Sequence, residues 1–125
     1  MKKFKKLEEI AYSLLDEHRG NMRSFHVAGI FKKNKLISVG FNKIITHPKT
    51  KKYNYHEIAK VHAELHCVIK GKLDNYYGYS LAVLRIDRNN NISFSKPCTG
   101  CSHMIKQLGF SKVFYTDYNG IWIRN

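Results

Sequence analysis

The sequence lacks any run of about 20 apolar residues, the length that a membrane-spanning helix requires. The basic segment from Met1 to Lys6 is not followed by the apolar stretch of a secretion signal. Both absences argue against a membrane partner and predict a cytoplasmic protein, either in the producing cell or in an infected host. With only two prolines and no Pro/Gly-rich linker, residues 1–125 are expected to form a single domain.

Cysteine is also scarce, and the three that are present do not indicate a framework of disulfides, because the number is odd and no secretion signal precedes them. Cys98 and Cys101 form a C-x-x-C pair, a spacing that favours metal binding or redox chemistry. The remaining Cys67 is interpreted as a small buried apolar residue.

Acidic residues are few, since nine Asp and Glu oppose 22 Lys and Arg and leave a formal net charge of +13. Such a charge is typical of proteins that bind nucleic acid, but a Lys-rich composition derived from AT-rich codons explains it equally well. Residues 43–56 combine Lys with Tyr and His. This stretch is either a segment that tracks single-stranded nucleic acid or a solvated loop.

Hydrophobic periodicity predicts the element order α-β-β-α-β-α-β-β. Helices are predicted over residues 4–18, about 58–70 and about 98–108, and strands over 25–31, 36–41, 80–86, 113–116 and 121–124. Residues 92–95 are interpreted as a lead into Pro97. Asn119-Gly120 is a strong hairpin signal, so the last two strands should be antiparallel. We therefore expect a three-layer α/β/α sandwich with a five-stranded mixed sheet.

Two short motifs carry the chemistry: Val61-His62-Ala63-Glu64 and Pro97-Cys98-Thr99-Gly100-Cys101. One imidazole and two thiolates suit Zn²⁺, and three protein ligands leave the fourth tetrahedral position for a reactive water. The two cysteines are spaced to face one side of the first turn of a helix. The partial positive charge of a helix N-terminus would lower their pKa values and favour binding of the ion.

Glu64 is two residues after His62, which corresponds to about 200° around a helix, so the two side chains are not expected to bind the same ion. A carboxylate beside a zinc-bound water can instead move protons between that water and a substrate. The motifs thus predict that His62, Cys98 and Cys101 bind Zn²⁺ and that Glu64 is catalytic.

H-x-E followed by P-C-x-x-C is the signature of zinc-dependent deaminases. Over residues 22–117 the sequence resembles the cytidine deaminase superfamily, in particular single-domain CMP/dCMP-type enzymes of phages and bacteria. The resemblance implies that hydroxide on zinc attacks C4 of a cytosine base and that Glu64 shuttles the proton, giving uracil and ammonia. The expected substrate is a free (deoxy)cytidine nucleoside or nucleotide; single-stranded DNA or RNA is the alternative.

The resemblance also implies contacts to the substrate. In Gly40-Phe41-Asn42, Asn42 would bind the sugar, while the backbone N–H of Ala63 would bind the base carbonyl. Ser95 and Lys96 occupy the loop whose backbone holds the amino group in the family. Further substrate-binding candidates are Phe41, His26 at the pocket mouth and Tyr115, which fits the core equally well. Family members often complete the pocket with a neighbouring subunit, so a dimer or tetramer is compatible with the resemblance.

Three other functions fit parts of the sequence. An adenosine deaminase of the tRNA type is disfavoured by the antiparallel last strands. A non-enzymatic zinc module that binds nucleic acid would need a fourth protein ligand, for which Cys67, His66 and His103 are the candidates. A thiol redox protein would use Cys98 and Cys101 but does not require H-x-E.

Overall fold

The computed structural model describes residues 2–20, 24–42 and 62–125. The elements in these ranges are α1 (Lys2–His18), β1 (Phe25–Lys32), β2 (Lys35–Phe41), α2 (Ala63–Gly71), β3 (Ser80–Ile86), β4 (Ile92–Ser93), α3 (Thr99–Leu108), β5 (Lys112–Thr116) and β6 (Trp122–Arg124). The predicted basic, aromatic stretch over 43–56 and the predicted beginning of the second helix at 58–61 lie outside the described residues. Within these ranges no helix is both long and apolar enough to cross a bilayer.

The strands form one mixed sheet in the order β2-β1-β3-β5-β6. β1 is antiparallel to β2 and to β3, β5 is parallel to β3, and β6 is antiparallel to β5. The antiparallel end predicted from Asn119-Gly120 is therefore confirmed. Gly120 adopts a positive φ of 78°, and its N–H donates to the carbonyl of Asp117 over 3.0 Å, which closes the hairpin.

The prediction of five strands is wrong by one, because the segment interpreted as a lead into Pro97 begins with the short strand β4, which pairs with the end of β3. The reason lies in the preceding turn. Its first residue, Asp87, accepts backbone N–H bonds from Asn89 and Asn91 at its Oδ1 over 2.9 and 3.0 Å. This Asx-type turn folds the chain back far enough for two residues to pair.

Helices cover both faces of the sheet, as the three-layer prediction requires. Successive side chains of a strand point to opposite faces, and in β3 Leu81 and Val83 pack in one buried cluster with residues of α2 and α3. Leu84 and Ile86 pack in a second cluster with residues of α1, on the other face. The α/β/α sandwich is thus confirmed, and it places α2 and α3 together on one side of the sheet.

α2 lies directly on the backbone of β2. A Cβ built at Gly40 would be 2.3 Å from the backbone nitrogen of Cys67, so any side chain there would displace the helix. Two hydrogen bonds fix the contact, from Ser38 Oγ to the Cys67 carbonyl over 2.8 Å and from Cys67 Sγ to the Ser38 carbonyl over 3.3 Å. This close packing sets where the N-terminus of α2 meets the sheet.

Candidate metal centre

Two helices begin at the same place on the sheet. His62 is the extended N-cap residue of α2, with φ −73° and ψ 156°, and Cys98 is the extended N-cap residue of α3, with φ −68° and ψ 173°. The sulfur of Cys98 accepts the backbone N–H of Cys101 over 3.4 Å, as a capping side chain does. Both N-termini therefore direct partial positive charge toward the cysteine sulfurs.

The ligand atoms predicted from the sequence converge. His62 Nδ1 lies 3.3 Å from Cys98 Sγ and 3.4 Å from Cys101 Sγ, and the three atoms are all within 4.8 Å of one another. A tetrahedral Zn²⁺ with ordinary bond lengths separates its nitrogen and sulfur ligands by roughly 3.5–3.8 Å. The donor set and its spacing therefore fit zinc.

The surroundings of Cys98 favour the thiolate form of its side chain. Hydrogen bonds from the Cys101 side chain and from His62 lower the pKa of Cys98 to about 4, although its partial burial acts in the opposite direction. The group is thus a thiolate at neutral pH, the form that binds metal ions. Cys67 differs, because burial raises the pKa of its thiol to about 12.

None of the three candidates for a fourth protein ligand joins this group. Cys67 bonds to β2, and His66 is buried with Nδ1 accepting the backbone N–H of Phe41 over 2.9 Å. His103 is exposed and pairs with Gln107. Among the residues that the structure describes, His62, Cys98 and Cys101 therefore form a set of three.

Glu64 lies in the first turn of α2 with 4% of its surface exposed. Burial raises the pKa of its carboxyl group, while hydrogen bonding to its own backbone and to the Cys101 side chain and the charge of His62 act to lower it. It is not one of the three clustered ligands. A buried carboxyl group beside a metal site, but outside its ligand set, is positioned for proton transfer.

Comparison with known proteins agrees with this chemistry. The family model for the zinc-binding region of cytidine and deoxycytidylate deaminases matches residues 1–117. The chain belongs to this family. It is therefore a zinc-dependent hydrolytic enzyme, and zinc is its cofactor. No curated protein matches the deaminase in sequence.

Solved structures of distant deaminases share the fold. The dCMP deaminase of the cyanophage S-TIM5 in its apo form is 21% identical over 90% of this chain and 81% of its own, with a TM-score of 0.57. The same phage enzyme in complex with dCMP and dUMP is 20% identical over 90% and 79%, with the same score. Cytidine deaminase from Mycobacterium leprae is 16% identical over 97% and 92%, with a TM-score of 0.58.

Asn42 and His26, both predicted to contact substrate, lie together at the beginning of β1. The backbone N–H of His26 donates to Asn42 Oδ1 over 2.9 Å, and Asn42 Nδ2 donates to the Ser24 carbonyl over 3.2 Å. Burial lowers the pKa of His26 to about 4, and the charges of Arg85 and His62 contribute to this shift. His26 is thus a neutral imidazole within electrostatic reach of the zinc ligands.

Phe41 packs away from the described ligand atoms. Its ring contacts His18 at 4.2 Å and Phe25 at 5.7 Å between centroids, and it lies edge-on to His66 at 4.9 Å. This ring joins the partly buried residues beside the cluster under α1. Its predicted contact with substrate therefore stays a prediction, and the structure gives Phe41 a packing role.

Ser95 and Lys96 precede the cysteine motif, and Ala63 lies within the histidine motif. Ser95 is buried, and its hydroxyl donates to the Val83 carbonyl over 2.7 Å and lies 2.8 Å from Thr116 Oγ1. Lys96 is exposed, whereas Ala63 is fully buried at the first position of α2. The hydroxyl bonds of Ser95 tie the segment before Cys98 to β3 and β5, a role that sequence reasoning did not identify.

Tyr115 is half-buried on β5 and lies edge-on to Phe94 at 6.0 Å. Phe94 in turn stacks on Tyr118, with centroids 4.7 Å apart and an interplanar angle of 10°. Sequence reasoning also missed Arg85, whose Nε donates to Ser24 Oγ over 2.9 Å. The available signal was a single charged residue inside the otherwise apolar run of β3.

Proposed function

We propose that this deaminase converts the cytosine base of a free nucleoside or nucleotide to uracil, with water as the second reactant and ammonia as the second product. One observation carries the proposal: three ligand atoms lie within 4.8 Å of one another, beside the buried carboxyl group of Glu64. Zinc held by His62, Cys98 and Cys101 would lower the pKa of a water molecule, so that hydroxide would be available at neutral pH to attack C4 of cytosine.

Glu64 has the role of moving protons. Its carboxylate takes a proton from the attacking water and returns it to N3 of the ring, after which a second transfer lets the amine leave as ammonia. The position of Glu64 in the first turn of α2 supports this role, because the ligand His62 caps the same helix. Its burial supports it too, because bulk water does not compete for the proton.

Asn42 and Ala63 are proposed to hold the substrate. Asn42 would bind the sugar while it remains bonded to the backbone of Ser24 and His26. The N–H of Ala63 belongs to the first turn of α2, where backbone donors have no acceptor within the helix, so it can bind the base carbonyl. Lys96, the backbone of Ser95, His26, Phe41 and Tyr115 remain further candidates for substrate contact.

The size of the substrate is argued from the relatives and from charge. The phage relative was solved with dCMP and dUMP, and the mycobacterial relative is a cytidine deaminase, which supports a monomeric substrate. Single-stranded DNA or RNA is the second candidate, because Lys3, Lys6, Lys32, Lys33 and Lys35 line a groove of about 1110 Å³. These lysines lie near the far end of β1, roughly 20 Å along the strand from His26, so they favour a polymer only if it spans that distance.

A substrate panel tests the proposal. Cytidine, deoxycytidine, their monophosphates, and single-stranded DNA and RNA are incubated with the zinc-loaded protein, and the mass increase of about one dalton that marks replacement of the amine by oxygen is measured. We expect turnover of the small substrates. No mass change with any member of the panel would contradict the proposal, and turnover of the polymers alone would favour the second candidate.

Glu64→Gln separates chemistry from metal binding. We expect the variant to keep its zinc and to lose at least about 100-fold in kcat, because the amide cannot accept the proton. Glu9→Gln, at an exposed position on α1, is the matched control and should retain full activity. Turnover of Glu64→Gln at the wild-type rate would remove Glu64 from the mechanism.

A further inference from the structure

Arg85 is the one charged residue of β3, and its position in that strand sets the direction of its side chain. Leu81 and Val83, four and two residues earlier, pack with α2 and α3. Since alternate residues of a strand share a face, Arg85 also projects from the face that carries the zinc ligands. It is half-buried, so part of the guanidinium remains accessible.

The contacts of Arg85 with the described residues occupy one of its donor nitrogens. Its Nε donates to Ser24 Oγ over 2.9 Å, which fixes the plane of the guanidinium. Among the residues that the structure describes, no carboxylate lies within ion-pair distance of Arg85 and this is its only side-chain hydrogen bond. The two terminal nitrogens can therefore bind an external anion through the paired geometry that arginine forms with phosphate.

The neighbours of Arg85 connect it to both ends of the proposed substrate site. Its partner across the sheet is His26, whose carbonyl accepts the backbone N–H of Asn42 over 3.2 Å. Two residues before Asn42, the backbone of Gly40 packs against the Ala63 carbonyl in the first turn of α2, the helix that His62 caps. Ser24 contacts both Arg85 and Asn42: its hydroxyl accepts a hydrogen bond from Arg85 Nε, and its carbonyl accepts one from Asn42 Nδ2. The order of groups is thus zinc ligands, then Asn42, then His26 and Arg85.

A nucleotide has the same order of groups: base, sugar and phosphate. With the base at the zinc ligands and the sugar at Asn42, the phosphate would come next to the guanidinium. We propose that Arg85 binds the 5′-phosphate of the substrate and makes the enzyme specific for a cytidine or deoxycytidine monophosphate over the corresponding nucleoside. This inference depends on the proposed function and narrows its substrate class.

The test is the ratio of kcat/KM for dCMP to that for deoxycytidine, repeated with CMP and cytidine. We expect Arg85→Gln to lower this ratio by about 10- to 100-fold, the range for loss of charge-assisted hydrogen bonds, mainly through KM of the monophosphate. Arg85→Lys should lower it less, because it keeps the charge but loses the planar pair of donors. Arg88→Gln, at an exposed position in the turn after β3, is the matched control and should leave the ratio unchanged.

Two results would overturn the inference. One is a wild-type enzyme that does not prefer the monophosphate, and the other is an equal loss with nucleotide and nucleoside in Arg85→Gln, which would indicate a structural role. If Arg85→Gln does not fold, as judged by thermal unfolding, the ratio in Arg85→Lys decides, and an unchanged ratio there counts against the phosphate contact.

Calorimetric binding of dCMP and deoxycytidine separates this inference from the proposed function. Zinc-loaded Glu64→Gln serves as the background, since it should bind ligand without consuming it. Tighter binding of dCMP that is lost in the double variant with Arg85→Gln supports the phosphate contact even if the panel shows no deamination. Equal binding of the two ligands would overturn the contact while leaving deamination itself untouched.

Discussion

At the end of the sheet where β1 begins, polar side chains are buried or half-buried and bonded to one another, whereas at the other end of the same strand they are mostly exposed lysines. The first end holds His26, Arg85 and the N-termini of α2 and α3. The second holds the lysines of the β1–β2 hairpin and of α1, which form no ion pair within the described residues. Hydrogen bonds hold the charged groups of the first end, Arg85 and the Cys98 thiolate. At the second end the described contacts of the lysines are weaker cation–π contacts, of Lys3 with three phenylalanine rings and of Lys32 with Tyr79.

The comparison shows that net charge and a binding site are different properties. An exposed lysine attracts any anion within a Debye length of about 8–10 Å, and salt weakens that attraction. A guanidinium held by Ser24, or a thiolate held by Cys101, is directed at one position. We therefore assign substrate recognition to the zinc end, and a general attraction for anions to the lysine end.

Substitution of the metal ligands should cause the largest loss of activity. Cys98→Ala or Cys101→Ala removes one of three ligands, and we expect loss of stoichiometric zinc and of all detectable turnover. Elemental analysis of the purified variants gives the zinc content. Cys67→Ala is the control, and it should keep its zinc because this sulfur bonds to Ser38. Release of zinc from Cys67→Ala would instead favour a four-ligand structural site.

A smaller effect is expected at Asn42. Asn42→Ala removes the proposed sugar contact and also the bonds to Ser24 and His26. We expect kcat/KM to fall by about 10- to 100-fold, with zinc content unchanged. Steady-state kinetics of the variant on cytidine and CMP, with zinc measured in the same samples, checks both parts. Unchanged kinetics would remove Asn42 from the substrate site.

The half-buried imidazole of His26 allows a pH test at the same end of the sheet. Its folded pKa is about 4 against an ordinary 6.5, so the unfolded chain binds a proton that the folded chain does not. The resulting stability is fully present above pH 6.5 and is lost as the pH falls toward 4. Between pH 7 and pH 5 the wild type should lose about 2 kcal/mol more than His26→Gln does, as measured by urea unfolding. An equal loss in both proteins would show that His26 titrates normally.

The smallest effect on a free nucleotide should come from the lysine end. Replacing Lys32, Lys33 and Lys35 together by Gln should change kcat/KM for a monophosphate by less than about twofold at physiological salt, because the charges are distant and screened. Binding to single-stranded DNA, measured across a salt series, should weaken and lose part of its salt dependence. A large loss of monophosphate turnover would indicate that the lysine end also takes part in binding the substrate.

The features that depend on short sequence motifs were predictable from the sequence. The ligands His62, Cys98 and Cys101 and the hairpin at Gly120 depend on motifs of two to five residues. β4 was missed because it has two residues and depends on the side chain of Asp87.

Contacts set by strand register were not predictable from local patterns. Arg85 meets His26 and Ser24 only because β1 and β3 pair in one register, across some 60 residues of chain. The hydroxyl bonds of Ser95 to Val83 and Thr116 likewise require the parallel pairing of β3 with β5. A sequence identifies such residues as unusual for their position, but it does not identify their partners.

The anchoring of Ser95 has a consequence for metal uptake. Because its hydroxyl joins the segment before Cys98 to two strands at once, formation of the sheet itself orders the approach to the first cysteine. Little conformational entropy then remains to be lost when the ion arrives. A protein built in this way should regain its metal quickly after chelation, without refolding.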